Sequence, residues 1–473
     1  MERRIKAPKR LQGTLNPPGD KSISHRAAIL AALAQGRSTI ANFLYGEDCL
    51  ATLHCLEALG VAVRAEALPG GPAFANAPDA PPLGSKAGRR GTSSEPSRPD
   101  SVELEKGPLT VEGVGWSGLQ ESAQVLDCAN SGTSMRLLAG LLSGQPFLSV
   151  LTGDASLRIR PMKRVVEPLR RMGARIWGRQ GGSLAPLAIY GGELSGIDYH
   201  LPVASAQVKS ALILAALFAR GETVLQEPVP TRDHTERLLT AMGAELAVAD
   251  GRIQVQPLAG ALSPLNLEVP GDISAAAYFL VAAAIHPDAD ILIHRVGMNP
   301  TRTGIVDALR LMGADVAVLN ESTQGGEPVA DIQVRSSSLK AITVGGEMIP
   351  RLIDEVPVLA VAAAVAQGKT VIRDAEELRV KESDRIATTA GELRRLGARV
   401  EELPDGLAIE GGHKLRGAPC RSHGDHRLAM ALAVAALAAE GETTIADAEA
   451  VAVSYPRFWE ELDRLSGASR ELP

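Results

Sequence analysis

Two hydrophobic patterns alternate along the chain. One is a helical stretch with charges on one face, closed by apolar positions, a glycine and usually an alanine. It reads LEALGV at 56–61, LRRMGA at 169–174, LTAMGA at 239–244, LRLMGA at 309–314 and LRRLGA at 393–398, with a degraded copy, LDRLSG, at 462–467. Glycine just after the last periodic residue predicts a helix end, because it takes the left-handed conformation without a Cβ clash. The other pattern is apolar nearly all round, then turns into a β-branched run. Its copies begin HRAAILAALAQG (25–36), MRLLAGLLSG (135–144), KSALILAALFARG (209–221), SAAAYFLVAAAI (274–285), VPVLAVAAAVAQG (356–368) and HRLAMALAVAALAAEG (426–441). Helices without a polar face are buried on several sides, while the charged helices lie outside. The alternation predicts six units of strand–helix–strand–helix plus further strands, of roughly 70 residues each.

The spacing fails in one place. The glycines at 60 and 173 stand 113 residues apart, whereas those at 173, 243 and 313 stand 70 apart. Between Pro69 and Asp100, 16 of 32 residues are Pro, Gly or Ser. Such a stretch cannot repay its ordering entropy, so a disordered surface insertion is expected over about 69–106. A smaller excess around Glu321–Glu327 reads as an ordinary loop.

Composition narrows the class. The 473 residues are 45% hydrophobic but only 3% aromatic, so alanine and leucine must supply the cores. A net charge of −6 disfavours bulk contact with a phosphate backbone, and no nucleic-acid partner is expected. The run Ala429–Ala439 covers 11 uncharged residues, short of the roughly 17 a membrane span needs. Cys49, Cys55, Cys128 and Cys420 form no CxxC pair, which suits a reducing, cytoplasmic compartment. The five basic residues among the first ten precede no apolar stretch, so no signal peptide is expected.

Candidate chemistry concentrates where the buried helices open. Free N–H groups and the helix dipole favour anions there. The openings read PGDKSISHR (18–26), NSGTSMR (130–136), ASAQVKS (204–210), PGDISAA (270–276), IDEVP (353–357) and HGDHR (423–427). RVKESDR (379–385) and GDASLRIRPMKR (153–164) add basic groups. Lys21, Lys209 and Lys381 all fall in these short segments, which suggests a site for small polyanions. Taken singly, Ser, Asp and Asn at these positions read as N-caps, and 379–385 reads as a solvated charge run. PGDKS lacks the spacing of a P-loop. His423 and His426 with Asp425 have metal-pair spacing but no evident third ligand.

As an ordered set these motifs, with TRDHTE, NPTRTG and DHRLAM, resemble the 5-enolpyruvylshikimate-3-phosphate synthase family, from about residue 10 to 465. The resemblance implies an α/β, two-lobed inverse α/β barrel-like fold. It has six βαβαββ repeats, three per lobe, whose buried helices open onto an interlobe cleft. Lobe 1 would be 18–269, and lobe 2 would be 1–17 plus 270–473, with the two PGD turns as hinge. The implied reaction moves the enolpyruvyl group of phosphoenolpyruvate to the 5-hydroxyl of shikimate 3-phosphate and releases phosphate, in the shikimate pathway to chorismate and the aromatic amino acids. No metal or other cofactor, no membrane and a monomer are implied.

Carried over by position, Lys21, Ser22, Arg26, Ser205, Ala206, Gln207, Arg232, Asp354 and Lys381 would hold shikimate 3-phosphate. Lys21, Gly132, Arg160, Gln207, Arg385 and Arg427 would hold phosphoenolpyruvate, and glyphosate in its place. Asp354, Glu382 and Lys21 would be catalytic, with either Glu382 or Lys21 protonating the methylene. Asn130 and Thr133 open the helix beneath the donor site. Some members carry a lysine where this chain has Val453 and Ser454, and a serine where it has Ala206. UDP-N-acetylglucosamine enolpyruvyl transferases share the implied fold and donor, but carry a cysteine in the loop that reads GDASLRIR here. A non-catalytic RNA-end-binding relative is a further alternative.

Overall fold

The structure is a computed structural model describing residues 1–67 and 106–467. The expected insertion therefore lies outside the described residues, apart from its last, Lys106. Among the described residues, helices of the two predicted kinds alternate. The buried ones are Lys21–Leu33, Gly132–Ser143, Ala206–Ala216, Ile273–Ile285, Val356–Val365 and His426–Ala436. The outer ones are Glu47–Ala58, Lys163–Arg171, His234–Ala241, Gly304–Leu311, Arg385–Arg395 and Phe458–Ser466. Five outer helices end as predicted. Gly173, for example, has φ +111° and donates to Arg170 O at 3.0 Å, while Ala174 N reaches Leu169 O at 3.0 Å.

Each repeat contributes one sheet. In the sheet Leu126–Asp127, Leu148–Thr152, Leu184–Tyr190, Arg175–Gly178, the first pair is parallel and the next two are antiparallel. Four other four-stranded sheets repeat this order. The sixth has three strands, Glu2–Lys6, Glu442–Ala446 and Pro419–Arg421, so the amino terminus completes the last repeat. Two cores result, one spanning Ile23 to Val269, the other combining Ile5, Leu11 and Leu15 with Ile273 to Leu465.

The first and fourth repeats exchange their leading strands where the chain crosses between the lobes. Leu11–Leu15, which leads into helix Lys21–Leu33, pairs with Ala289–Gly297 beyond the other crossing. Asn266–Glu268 pairs reciprocally with Gln35–Ala41. The two PGD turns meet back to back: Asp20 N donates to Pro270 O and Asp272 N to Pro18 O, both at 2.8 Å. Gly19 is required here, because a Cβ would stand 1.8 Å from Asn42 O.

The segment around Glu321–Glu327 is not the expected loop. Strands Asp315–Gln324 and Glu327–Arg335 form a long hairpin turning at Gly325 and Gly326. Its tip touches the other lobe, where Glu327 meets His234 at 2.7 Å and Gly326 O accepts from Arg237 at 2.8 Å. The excess residues lengthen the two strands outward; Glu321, Ser322 and Thr323 stay exposed, and Glu327 is the residue buried where the tip meets the other lobe.

Strands Ala62–Ala67 and Lys106–Val114 are antiparallel, with Ala67 opposite Lys106. Residues 68–105 thus join two neighbouring strand ends that a two-residue Asn-Gly turn can span. Replacing them with that turn should leave the thermal midpoint within a few degrees, since loop length costs only about 0.6 kcal/mol per doubling. Catalytic constants should stay within threefold. A shortened chain that folds but loses activity in a steady-state assay would assign the segment a job.

Candidate active site

The buried helices open onto a cleft of about 590 Å³ between the lobes. Lys21, Ser22, Gly132, Arg160, Ser205, Ala206, Gln207 and Arg232 line it from one lobe, and Asp354, Lys381, Glu382, Arg385 and Arg427 from the other. Arg26 lies behind this wall. Its guanidinium is buried and donates to Thr235 Oγ1 at 2.8 Å, Ser22 O at 2.9 Å and Ser210 Oγ at 2.8 Å. In this arrangement it supports the Ser22 turn.

The N-cap reading and the site reading separate residue by residue. Asp20, Ser131, Asp272 and Asp425 cap their helices with side-chain hydrogen bonds. Ser205 occupies the same position without a cap bond, so its hydroxyl stays available beside the N–H groups of Ala206 and Gln207. The 379–385 run divides as well. Asp384 caps the outer helix and pairs with Arg379 at 2.8 Å, while Lys381, Glu382 and Arg385 turn into the cleft.

Lys209 departs from the expectation. Its ammonium is buried away from the cleft, 2.9 Å from Glu227 and 2.8 Å from Glu236. Position at a helix opening does not distinguish it from Lys21, because one helical turn further along, the side chain points into the lobe. His423 and His426 also part: His423 meets Glu392 at 3.0 Å, whereas His426 is buried at the cleft wall. Among the described residues no cluster of metal-ligating side chains is present.

Charge is arranged across the lobes. Asp354 receives Arg385 at 3.3 Å and Arg427 at 3.6 Å from its own lobe, and Arg232 at 2.5 Å from the opposite one. Burial alone would raise its carboxyl. Arg427, Arg232, Lys381 and Arg385 outweigh burial and hold it well below the usual carboxylate range. For Glu382 burial also pushes upward, and Arg385, Arg160, His426 and Lys21 override it. Arg160 stands 3.7 Å from Glu382 and is steadied by Asn130 and by Ser156 at 3.2 Å. Arg385 is locked by Asp425 at 2.8 Å.

Sequence reasoning missed three members of this set. Asp48, on helix Glu47–Ala58, pairs with the Lys21 ammonium and lines the cleft. Arg136 donates to Gly132 O at 3.2 Å and to Gln207 Oε1 at 2.7 Å. A methyl on Gly132 would lie 2.5 Å from that Arg136 guanidinium and 3.5 Å from Arg160. Arg164 reaches across the lobes to Glu377 in a bidentate pair at 2.8 and 2.9 Å. Asp48 carries no motif signal; Arg136 and Arg164 stand within the motifs but look like helix-face charges. Val453 and Ser454 do not line the cleft.

A family model described as EPSP synthase (3-phosphoshikimate 1-carboxyvinyltransferase) matches residues 5–68 and 99–462, skipping most of the Pro/Gly/Ser-rich stretch. The 3-phosphoshikimate 1-carboxyvinyltransferase of Gloeobacter violaceus is 55% identical over 97% of this chain and 97% of its own. That of Herpetosiphon aurantiacus is 50% identical over 99% and 100%. A solved EPSP synthase from Acinetobacter baumannii superposes with a TM-score of 0.80 at 43% identity, covering 98% of both chains.

Proposed function

The chain belongs to the EPSP synthase family and transfers the enolpyruvyl group of phosphoenolpyruvate to the 5-hydroxyl of shikimate 3-phosphate; we propose how its cleft divides that work. Ser22, Ser205, the Ala206 backbone, Gln207, Arg232 and Lys381 hold shikimate 3-phosphate, with Arg26 buttressing Ser22. Arg160, Arg385 and Arg427 grip the donor's carboxylate and phosphate, and Gly132 leaves room for it. Planar guanidinium groups give such anions direction as well as charge.

Asp354 is the base. Four cations keep it ionised, so it can accept the 5-hydroxyl proton as that oxygen attacks the donor's central carbon. The methylene carbon takes up a proton in the same step, giving a tetrahedral adduct with a new methyl group. Arg385, Arg160, His426 and Lys21 hold the Glu382 carboxyl well below its ordinary range against the effect of burial. The donor's own anionic groups offset the pull of Arg160 and Arg385, which lets Glu382 carry the proton it delivers to the methylene carbon. The adduct then expels phosphate, which carries off the proton held by Asp354, and Glu382 recovers a methyl proton to form the enol ether. Lys21 stays a cation, because Asp48 and Glu382 outweigh the effect of its burial, and steadies charge at the leaving oxygen.

The observation that carries this reading is Asp354, held as a carboxylate among cations from both lobes. The units 18–269 and 1–17 plus 270–473 would move as the two bodies around the PGD turns, in a monomeric, cytoplasmic enzyme. No helix of the described residues is long and apolar enough to cross a membrane. Phosphate release should require shikimate 3-phosphate together with phosphoenolpyruvate. Equal release with UDP-N-acetylglucosamine as acceptor would overturn the acceptor assignment.

Arg160→Ala separates binding from chemistry. Losing a charge-assisted bond of about 1.5–3 kcal/mol should raise the phosphoenolpyruvate KM by roughly 10- to 150-fold, with a smaller change in kcat. Steady-state kinetics at saturating shikimate 3-phosphate measure it, and an unchanged KM would remove Arg160 from the donor site.

A further inference from the structure

Arg302 stands in the NPTRTG loop between strand Ala289–Gly297 and helix Gly304–Leu311, and the chemistry assigned to the cleft gives it no task. Its guanidinium is buried where the two crossings meet. One nitrogen lies 2.9 Å from Asp20; the other lies 3.3 Å from Asp272 and donates to Ser274 Oγ at 2.7 Å. Each contact leads to a group in the cleft. Asp20 caps the helix that begins with Lys21, and Asp272 Oδ2 accepts from the Lys21 backbone N–H at 3.4 Å. Ser274 Oγ donates to Glu355, the neighbour of Asp354. A single planar cation therefore ties the turn carrying Lys21 to the turn carrying Asp354, though these belong to opposite lobes.

We propose that Arg302 is a positioning residue for enolpyruvyl transfer, fixing Lys21 and Asp354 relative to each other by holding Asp20, Asp272 and Ser274 at the crossing of the lobes. The proposal rests on the roles given to Lys21 and Asp354. Its physical basis is that chemistry across a cleft depends on the register of its walls, and misplacement of about 1 Å can cost about 100-fold in rate. A guanidinium suits this task because its rigid fork engages two carboxylates and a hydroxyl at once, which an ammonium on a flexible stem cannot do with the same geometry.

Arg302→Gln should lower kcat by about 10- to 100-fold while both KM values stay within threefold. Arg302→Lys, which keeps the buried charge, should recover part of the loss. Ser274→Ala cuts only the arm towards Glu355 and leaves no carboxylate without its cation. It should fold where Arg302→Gln does not, and lower kcat several-fold. A residue that acts by placing Asp354 should also lose its effect once that carboxylate is gone. Arg302→Gln in an Asp354→Asn background should therefore change kcat by less than half, on a logarithmic scale, of its effect alone. Wild-type kcat per folded molecule in Arg302→Lys and Ser274→Ala would overturn the proposal. So would a raised KM at constant kcat, or full additivity with Asp354→Asn. If Asp354→Asn alone is fully active, the base assignment fails, a result separable from the kcat of the Arg302 and Ser274 variants.

Discussion

Asp354→Asn should reduce kcat by about 10²–10⁴-fold, with the KM values for both substrates changed far less. The amide keeps the shape of the side chain but cannot take the hydroxyl proton. The wild-type pH profile follows from the direction of the shift. Arg427, Arg232, Lys381 and Arg385 keep this carboxyl ionised below the usual carboxylate range. Asp354 is therefore already in its basic form throughout the mildly acidic region, and any loss of kcat/KM between pH 5 and 6 must come from another group. Steady-state kinetics of the variant and a kcat/KM profile of the wild type test both statements. A fully active Asp354→Asn enzyme would remove it as the base, and an acid limb near pH 5 that vanishes in the variant would show that the four cations do not dominate.

Lys209→Met should destabilise the fold strongly, although the residue lies outside the cleft. Two buried carboxylates, Glu227 and Glu236, would lose their common cation. Breaking a buried pair in this way costs about 3–5 kcal/mol. For a lobe of this size that corresponds to a midpoint drop of roughly 6 to 20 °C. Burial lowers the Lys209 pKa, but Glu236 and Glu227 outweigh burial and raise it above the ordinary value. A raised lysine stabilises fully below its unfolded pKa of about 10.4 and loses that contribution as pH climbs through the folded value. The gap between variant and wild type should therefore persist across neutral pH and close only in strong alkali. Thermal unfolding at pH 7 and above pH 11 measures it; a midpoint within a degree of wild type at pH 7 would refute the pairing.

These two residues also mark how far the sequence is legible. Periodicity is enough to place the helices, because a buried helix lacks a polar face and Gly173 and its counterparts need a left-handed backbone. It does not locate the strand exchange, since Leu11–Leu15 and Asn266–Glu268 look alike whichever sheet receives them. Nor does it separate Lys21 from Lys209, because both follow helix openings and the direction of each side chain depends on the turn around the axis. Helix-face arginines such as Arg164 are ambiguous for a related reason. Their function lies in a partner, Glu377, more than 200 positions away, and no local pattern encodes that pairing. The hairpin at 321–327 passes for a loop because its partner, His234, belongs to the other lobe.

The strand exchange has a consequence for how the chain is made. Gln35–Ala41 leaves the ribosome early, but its parallel neighbour Asn266–Glu268 emerges only after most of the first lobe. Glu2–Lys6 waits longer, for Glu442–Ala446. At translation rates of about 5–20 residues per second, that delay is roughly 20 to 90 s. Through that interval the amino terminus carries strand edges whose hydrogen-bonding partners do not yet exist, and such edges are sticky. The charged run Glu2, Arg3, Arg4 and Lys6 in the first of those strands is well suited to keeping it soluble until then. Vectorial synthesis can finish the first lobe before release. The second must wait for Glu442–Ala446.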